Sequence, residues 1–230
     1  MNQLPAFIPI VFILTTGLAW FIFKRAQQGR GQVMFIISAW LLFQAILGLA
    51  GFYQVIANGM PRFLLLILPP LIFLVINLST ARGRKLAGYL DLKWLTLLHI
   101  LRIPVEIVLY WLFVQKAVPG IMTFEGRNFD ILAGLTAPFI YYFGLVKNKL
   151  PLKVILAWNI ISLGLLLNIV VIAVLSMPSP IQQFGFEQPD IALLHFPFIW
   201  LPGFLVPLVM FAHMVSIRQL LIRKASVLRS

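Results

Sequence analysis

An all-α, polytopic membrane bundle of seven transmembrane helices is the fold class this sequence predicts, and three observations predict it. Hydrophobic residues make up 61% of the 230 and charged residues only 10%, with a mean hydropathy of +1.00. A soluble domain of this length has too little interior for that much apolar surface, so lipid must solvate most of it. Seven apolar runs recur along the chain, each close to the ~20 residues that cross ~30 Å of hydrocarbon. Basic residues alternate between the gaps that separate those runs.

The runs place spans at about 4–23, 33–53, 63–80, 95–115, 131–147, 154–177 and 198–219 of the sequence. The first, LPAFIPIVFILTTGLAWFIF, has no basic residue before it, and Lys24 and Arg25 follow it. That is the reverse of a secretory signal, so the run reads as a retained helix. The second ends at GLAGFY, and the third carries Pro69–Pro70, which should disturb it most. The fourth, LHILRIPVEIVLYW, holds a charged stripe and Pro104. The fifth is the shortest and carries Pro138, the sixth is unbroken, and the seventh carries Pro202 and Pro207. LAGYLDLKWL, before span four, is expected to lie along the cytoplasmic interface. The connections are short, so 1–230 reads as a single transmembrane domain without a soluble unit.

The charges orient the bundle. Lys24, Arg25, Arg30, Arg82, Arg84, Lys85, Lys93, Lys147, Lys149, Lys153, Arg218, Arg223, Lys224 and Arg229 fall on one side, and Arg62, Lys116 and Arg127 on the other. A split of 14 to 3 predicts an outside N-terminus, a cytoplasmic C-terminus and a multi-pass protein of the cell membrane. The net charge of +12 is therefore read as topology and contact with anionic head groups on the cytoplasmic side, with no nucleic acid as partner. Trp20, Trp94, Trp111, Trp158 and Trp200 fall near span ends, where an indole keeps its N–H wet, while Trp40 is deeper and packs.

Of the 18 basic residues only Arg102 lies inside a span away from its ends, one turn before Glu106. His99, Arg102 and Glu106 are spaced three and four apart and share a helix face that Tyr110 continues. An intramembrane charge is costly and faces a partner or a wet cavity. Asn77, Asn159 and His213 lie at a depth similar to His99, so a cytoplasm-facing polar site of His99, Arg102, Glu106, Asn77, Asn159 and His213 is expected, with an Arg102–Glu106 pair along the helix. Glu125, Asp130, Glu187, Asp190 and His195 are outer-loop candidates for a hard cation or a carboxylate pair, although their spacing matches no metal motif.

No cofactor is predicted. His99 and His213 are the one pair whose depth would suit a single haem or metal ion. The chain has no cysteine, no HExxH, GxSxG, Walker A or GxGxxG sequence, and no lysine in span seven. The functional expectation is a carrier or channel for a small polar or ionic solute. The alternatives are a membrane-embedded enzyme acting on a lipid or isoprenoid, and a non-catalytic assembly or signalling partner.

Overall fold

Proline and capping residues decide where the apolar runs bend, and the computed structural model describes the result for residues 4–29, 32–54, 56–57 and 60–227. Arg30 and Arg229 of the basic side lie outside these residues. Most of each apolar run is helical. Helix α1 is Phe7–Ala26 and α2 is Gln32–Leu49. A two-residue antiparallel pairing of β1 (Ile56–Ala57) with β2 (Met60–Pro61) follows. Helix α3 is Leu64–Ser79 and α4 is Ala81–Gly88. The fourth span consists of α5 (Leu92–Leu98), a 3-10 turn at His99–Leu101 and α6 (Arg102–Val114). The fifth is α7 (Ile131–Phe139), continued as a π-helical segment through Ile140–Val146. The sixth is α8 (Leu152–Ser176), and the last is a π-helical segment Leu201–Leu205 followed by α9 (Val206–Val227).

Four of these helices are long and apolar enough to cross a membrane: Phe7–Ala26, Leu92–Val114, Leu152–Ser176 and Leu201–Lys224. The runs Val33–Leu49 and Ile131–Val146 are shorter, and Leu64–Ser79 joins Ala81–Gly88 at an 88° bend. The outer surface fits a lipid solvent. Phe35 is 79% exposed, Leu49 73%, Leu14 67% and Ile161 64%, a density of bare large side chains that water would penalise. The chain is thus an all-helical membrane-type bundle apart from its small β pairing.

The sharp bend of the third span lies at Thr80 rather than at the expected Pro69–Pro70, which α3 accommodates within one helix. Thr80 adopts an extended backbone (φ −83°, ψ 148°), and its hydroxyl accepts the Gly83 N–H at 3.1 Å, capping α4. Gly83 then rests on the end of α3, where a Cβ would stand 2.2 Å from the Asn77 carbonyl oxygen. Gly83→Leu is therefore expected to force the elbow open and to lower stability by about 1–3 kcal/mol in a detergent unfolding titration. Asp91 caps α5 through its carboxylate, which accepts the Lys93 N–H at 2.7 Å, so the fourth span starts at Leu92, three residues before the expected position.

Contacts at each end tie the bundle together. At the basic end, the Asp91 N–H donates to the Ala26 carbonyl, Arg218 donates to the Arg84 carbonyl, and Gln219 donates to the carbonyls of Ala87 and Leu90. The ends of α1, α4 and α9 therefore lie together. At the opposite end, the Ala117 carbonyl accepts from Ile191 and Ala192, and Gln188 donates to the carbonyls of Phe113 and Val118. The main core is built from α1, α5, α6, α8 and α9, with Phe12, Leu95, Leu98, Leu112, Leu166 and Ala212 in it.

Proline also explains the attachment of α2. Pro207 cannot donate to the carbonyl of Gly203, four residues earlier, and that carbonyl accepts the Trp40 indole N–H at 2.9 Å instead. Trp200 returns the contact by donating to the Leu41 carbonyl at 3.0 Å.

Candidate functional site

Pro104 opens the site. Its ring removes the N–H that would bond the Ile100 carbonyl, and the chain responds with the 3-10 turn His99–Leu101. The break leaves His99, Arg102 and Glu106 on one inward face of the fourth span, at 0%, 3% and 2% exposure. Three other helices supply partners. The N-terminal end of α7 brings Asp130, α8 brings Asn159 and Ser162, and α9 brings His213, all buried. Gly134 allows α7 to come this close, because a Cβ there would meet Ile103 at 2.9 Å and the Arg102 Cβ at 3.2 Å.

Arg102 is the hub. Its Nη1 donates to Asp130 Oδ1 at 2.8 Å and to the Ser162 carbonyl at 3.2 Å, and its Nη2 donates to His213 Nε2 at 2.8 Å. A guanidinium has no acceptor, so His213 Nε2 must accept and the ring proton sits on Nδ1. That Nδ1–H points at Asn159 Oδ1, 3.0 Å away, and the Asn159 amide N–H donates to the Ile155 carbonyl at 2.9 Å. Adding a proton at His213 Nε2 would break the bond to Arg102, so the two are mutually exclusive. His99 lies flat on His213, with ring centroids 3.8 Å apart and planes 15° from parallel, and Trp158 closes over it edge-on at 5.5 Å.

Glu106 has a different partner from the one expected. Arg102 pairs with Asp130, while Asn128 donates to Glu106 Oε1 at 2.5 Å and to the Met122 carbonyl at 2.9 Å. The same Asn128 accepts the Asp130 backbone N–H through Oδ1 at 3.1 Å, so one amide holds the Glu106 carboxyl group and the Asp130 backbone. Glu106 Oε2, Arg102 Nε and both ring nitrogens of His99 make no hydrogen bond among the described residues. Arg102, Glu106 and Asp130 line a cavity of about 50 Å³ whose remaining wall is apolar, including Leu201, Leu205 and Val206. It has room for roughly one or two waters.

The expected site thus assembles in part. His99, Arg102, Glu106, Asn159 and His213 come together. Asn77 does not: its amide donates back to the Phe73 carbonyl at 2.8 Å, and it lines a separate apolar cavity. Tyr110 leaves the stripe to stack on Phe124 at 5.1 Å. The outer-loop candidates do not gather. Asp130 turns inward to Arg102, Glu125 and Glu187 are exposed, and His195 Nδ1 bonds the Ile191 carbonyl at 2.9 Å. Asp190 is fully buried with neither carboxyl oxygen hydrogen-bonded among the described residues.

Among the described residues, no three His, Asp or Glu side chains are grouped to hold a metal ion. The His99–His213 pair is also ill-suited to a shared iron. Ring lone pairs lie in the ring planes, so stacked rings aim theirs side by side instead of at one point, and both His213 nitrogens are engaged. Sequence reasoning missed Asn128 and the inward role of Asp130, because both sit in a loop. The available signal was the lone arginine, whose buried charge required a carboxylate from another element.

No curated protein and no solved structure matches the chain. A family model described as "Domain of unknown function (DUF8737)" matches residues 60–221, which include every member of the Arg102 network and leave out α1 and α2. The chain belongs to this DUF8737 family.

Proposed function

We propose that the protein is a carrier or channel for a small ion, the proton foremost, with the Arg102 network as its path. It would cross the cell membrane seven times, with the N-terminus outside and the basic end in the cytoplasm against anionic head groups. The single observation that carries this reading is the charge count of the buried site. One arginine faces two carboxyl groups, Asp130 and Glu106, and Asp130 is the one paired with it. Away from water the site balances only with one further positive charge, a proton on Glu106 or a small cation beside it. The unpartnered Glu106 Oε2 and the cavity of about 50 Å³ fit an occupant of that size better than a sugar or an amino acid.

The polar side chains form a thread in one direction. Asn128, in the 115–130 loop, donates to the Met122 carbonyl and to Glu106, Arg102 joins Asp130 to His213, and His213 reaches Asn159. In this reading a proton reaches Glu106 from the loop side. Movement of Arg102 away from His213 then exposes Nε2 as the next acceptor. The parts able to move are the broken fourth span and the π-helical segment Leu201–Leu205, which forms one wall of the cavity. Interrupted helices and π segments are frequent where membrane proteins bind and move solutes.

The test is a flux panel in proteoliposomes: protons under an imposed pH gradient, alkali cations, chloride, and glucose as the large neutral solute. Flux of protons or one small ion above protein-free liposomes, with glucose at background, is the expected result. Glucose entry with all ions at background would overturn the reading.

A further inference from the structure

A second cavity, of about 320 Å³, lies on the α1–α4 side of α9. It is distinct from the Arg102 site and shares no lining residue with the small cavity there. Its volume is that of on the order of ten water-sized groups, enough for a length of hydrocarbon chain. The lining is graded from one end to the other. Phe204, Gly203, Pro70 and Trp40 form the deep part and are apolar but for the Trp40 N–H, which Gly203 already accepts. Gln27, Asn77 and Tyr89 lie at the other end, where α1 finishes, α3 turns into α4 and the basic residues collect.

Gln27 supplies an independent observation. It is 5% exposed and lines the cavity. Its amide N–H meets the Met34 sulfur at 3.2 Å, but its Oε1 is buried without a partner among the described residues. A buried carbonyl oxygen left unpaired costs free energy that a ligand hydroxyl would recover. Helix α4 lines the same end through Leu86 and Ala87 and carries Arg82 and Lys85 on its exposed side, a setting that attracts phosphate. The cavity also has a side route to the bilayer, because its lining residues Ile36 and Phe73 are 56% and 48% exposed.

From this arrangement we infer that the cavity holds one acyl chain of a bilayer lipid from the leaflet at the basic end, with a head group that carries a phosphate and a hydroxyl. The chain fills the apolar depth, the hydroxyl donates to Gln27 Oε1, and the phosphate meets the basic face of α4. Phosphatidylglycerol has this chemistry. Phosphatidylcholine, with the same chains, lacks the hydroxyl and the net negative charge.

The test uses the full chain in mixed vesicles with phosphatidylglycerol bearing a photoreactive diazirine on one acyl chain, and the matching phosphatidylcholine as control. Peptide mass spectrometry after illumination is expected to place the label on Phe73, Leu208 and Phe211, about fivefold or more above the control lipid, as one hydrogen bond of ~1 kcal/mol allows. Excess unlabelled phosphatidylglycerol should compete, Ile37→Trp should remove the label by filling the cavity, and Gln27→Leu should reduce the preference between the lipids. Label spread evenly over the lipid-facing Phe35, Leu42 and Ile161, or equal cavity labelling by the two lipids in wild-type protein, would overturn the proposal. The wild-type comparison needs no variant to fold.

Discussion

Asp130→Ala is expected to lower the stability of the folded protein by about 3–5 kcal/mol, because it leaves the Arg102 guanidinium buried without its carboxylate. The lost hydrogen bond at 2.8 Å is the smaller part. The larger part is a charge held at 3% exposure that loses its hydrogen-bonded anion, while Asn128 holds the other carboxyl group, Glu106, aside. The double variant Asp130→Ala with Arg102→Met should recover much of the loss, since an apolar side chain of similar length needs no partner there. Unfolding titrations in detergent measure both. A single variant within about 0.5 kcal/mol of wild type, or a double variant no better than the single, would mean that the pair carries little energy.

Asp190 offers the second large effect, and it works through pH. The residue lies in the loop before the last helix, with its N–H donating to the Ser176 carbonyl at 3.0 Å. Complete burial pushes its carboxyl up to about 8, and the nearby backbone N–H of Leu193 offsets this only in part. An unfolded aspartate loses its proton near 3.8, so between these values the folded chain binds the proton that the unfolded chain has released. Stability is therefore unaffected by this group below about pH 4, falls as pH rises toward 8, and levels off above it. Four pH units at about 1.4 kcal/mol each give a loss on the order of 5 kcal/mol. Asp190→Asn keeps the shape and removes the titration. Its unfolding midpoint is expected to exceed that of wild type at pH 8 and to vary far less between pH 4 and 8. If the two proteins decline in parallel over that range, another group carries the dependence.

Much of the architecture was legible because lipid leaves few choices. Long apolar runs must close their backbone hydrogen bonds within themselves, so each run became a helix. Where those helices bend was harder to read. Pro69–Pro70 is the strongest breaker in the third span, yet the turn depends on Thr80 and Gly83, whose roles need the tertiary contact with Asn77 to be seen. Pro104 behaved as local chemistry predicts, since a missing N–H one turn after Ile100 perturbs the helix whatever surrounds it.

The site shows the same division. Spacing alone placed His99, Arg102 and Glu106 on one face, and the cost of a buried charge demanded a partner. It could not tell which carboxylate answered. Helix spacing favoured Glu106, four residues away, but Asp130 reaches Arg102 from α7, and Asn128 holds Glu106 aside. Asn77 matched the others in depth but not in azimuth, because depth follows from counting along a helix and direction depends on packing. The Gln27 cavity had no sequence signal at all, since its walls come from α1, α2, α3, α4 and α9.

Ion transfer through Glu106 is measured by proton or cation flux in proteoliposomes holding the Glu106→Gln, Glu106→Asp or Glu125→Gln protein. Glu125 is exposed in the loop and serves as the control carboxylate. If Glu106 holds the ion, flux is at least about tenfold lower with Glu106→Gln, partly recovered with Glu106→Asp and at the wild-type level with Glu125→Gln, all in proteins that fold and reconstitute alike. Wild-type flux in a well-folded Glu106→Gln protein would contradict it.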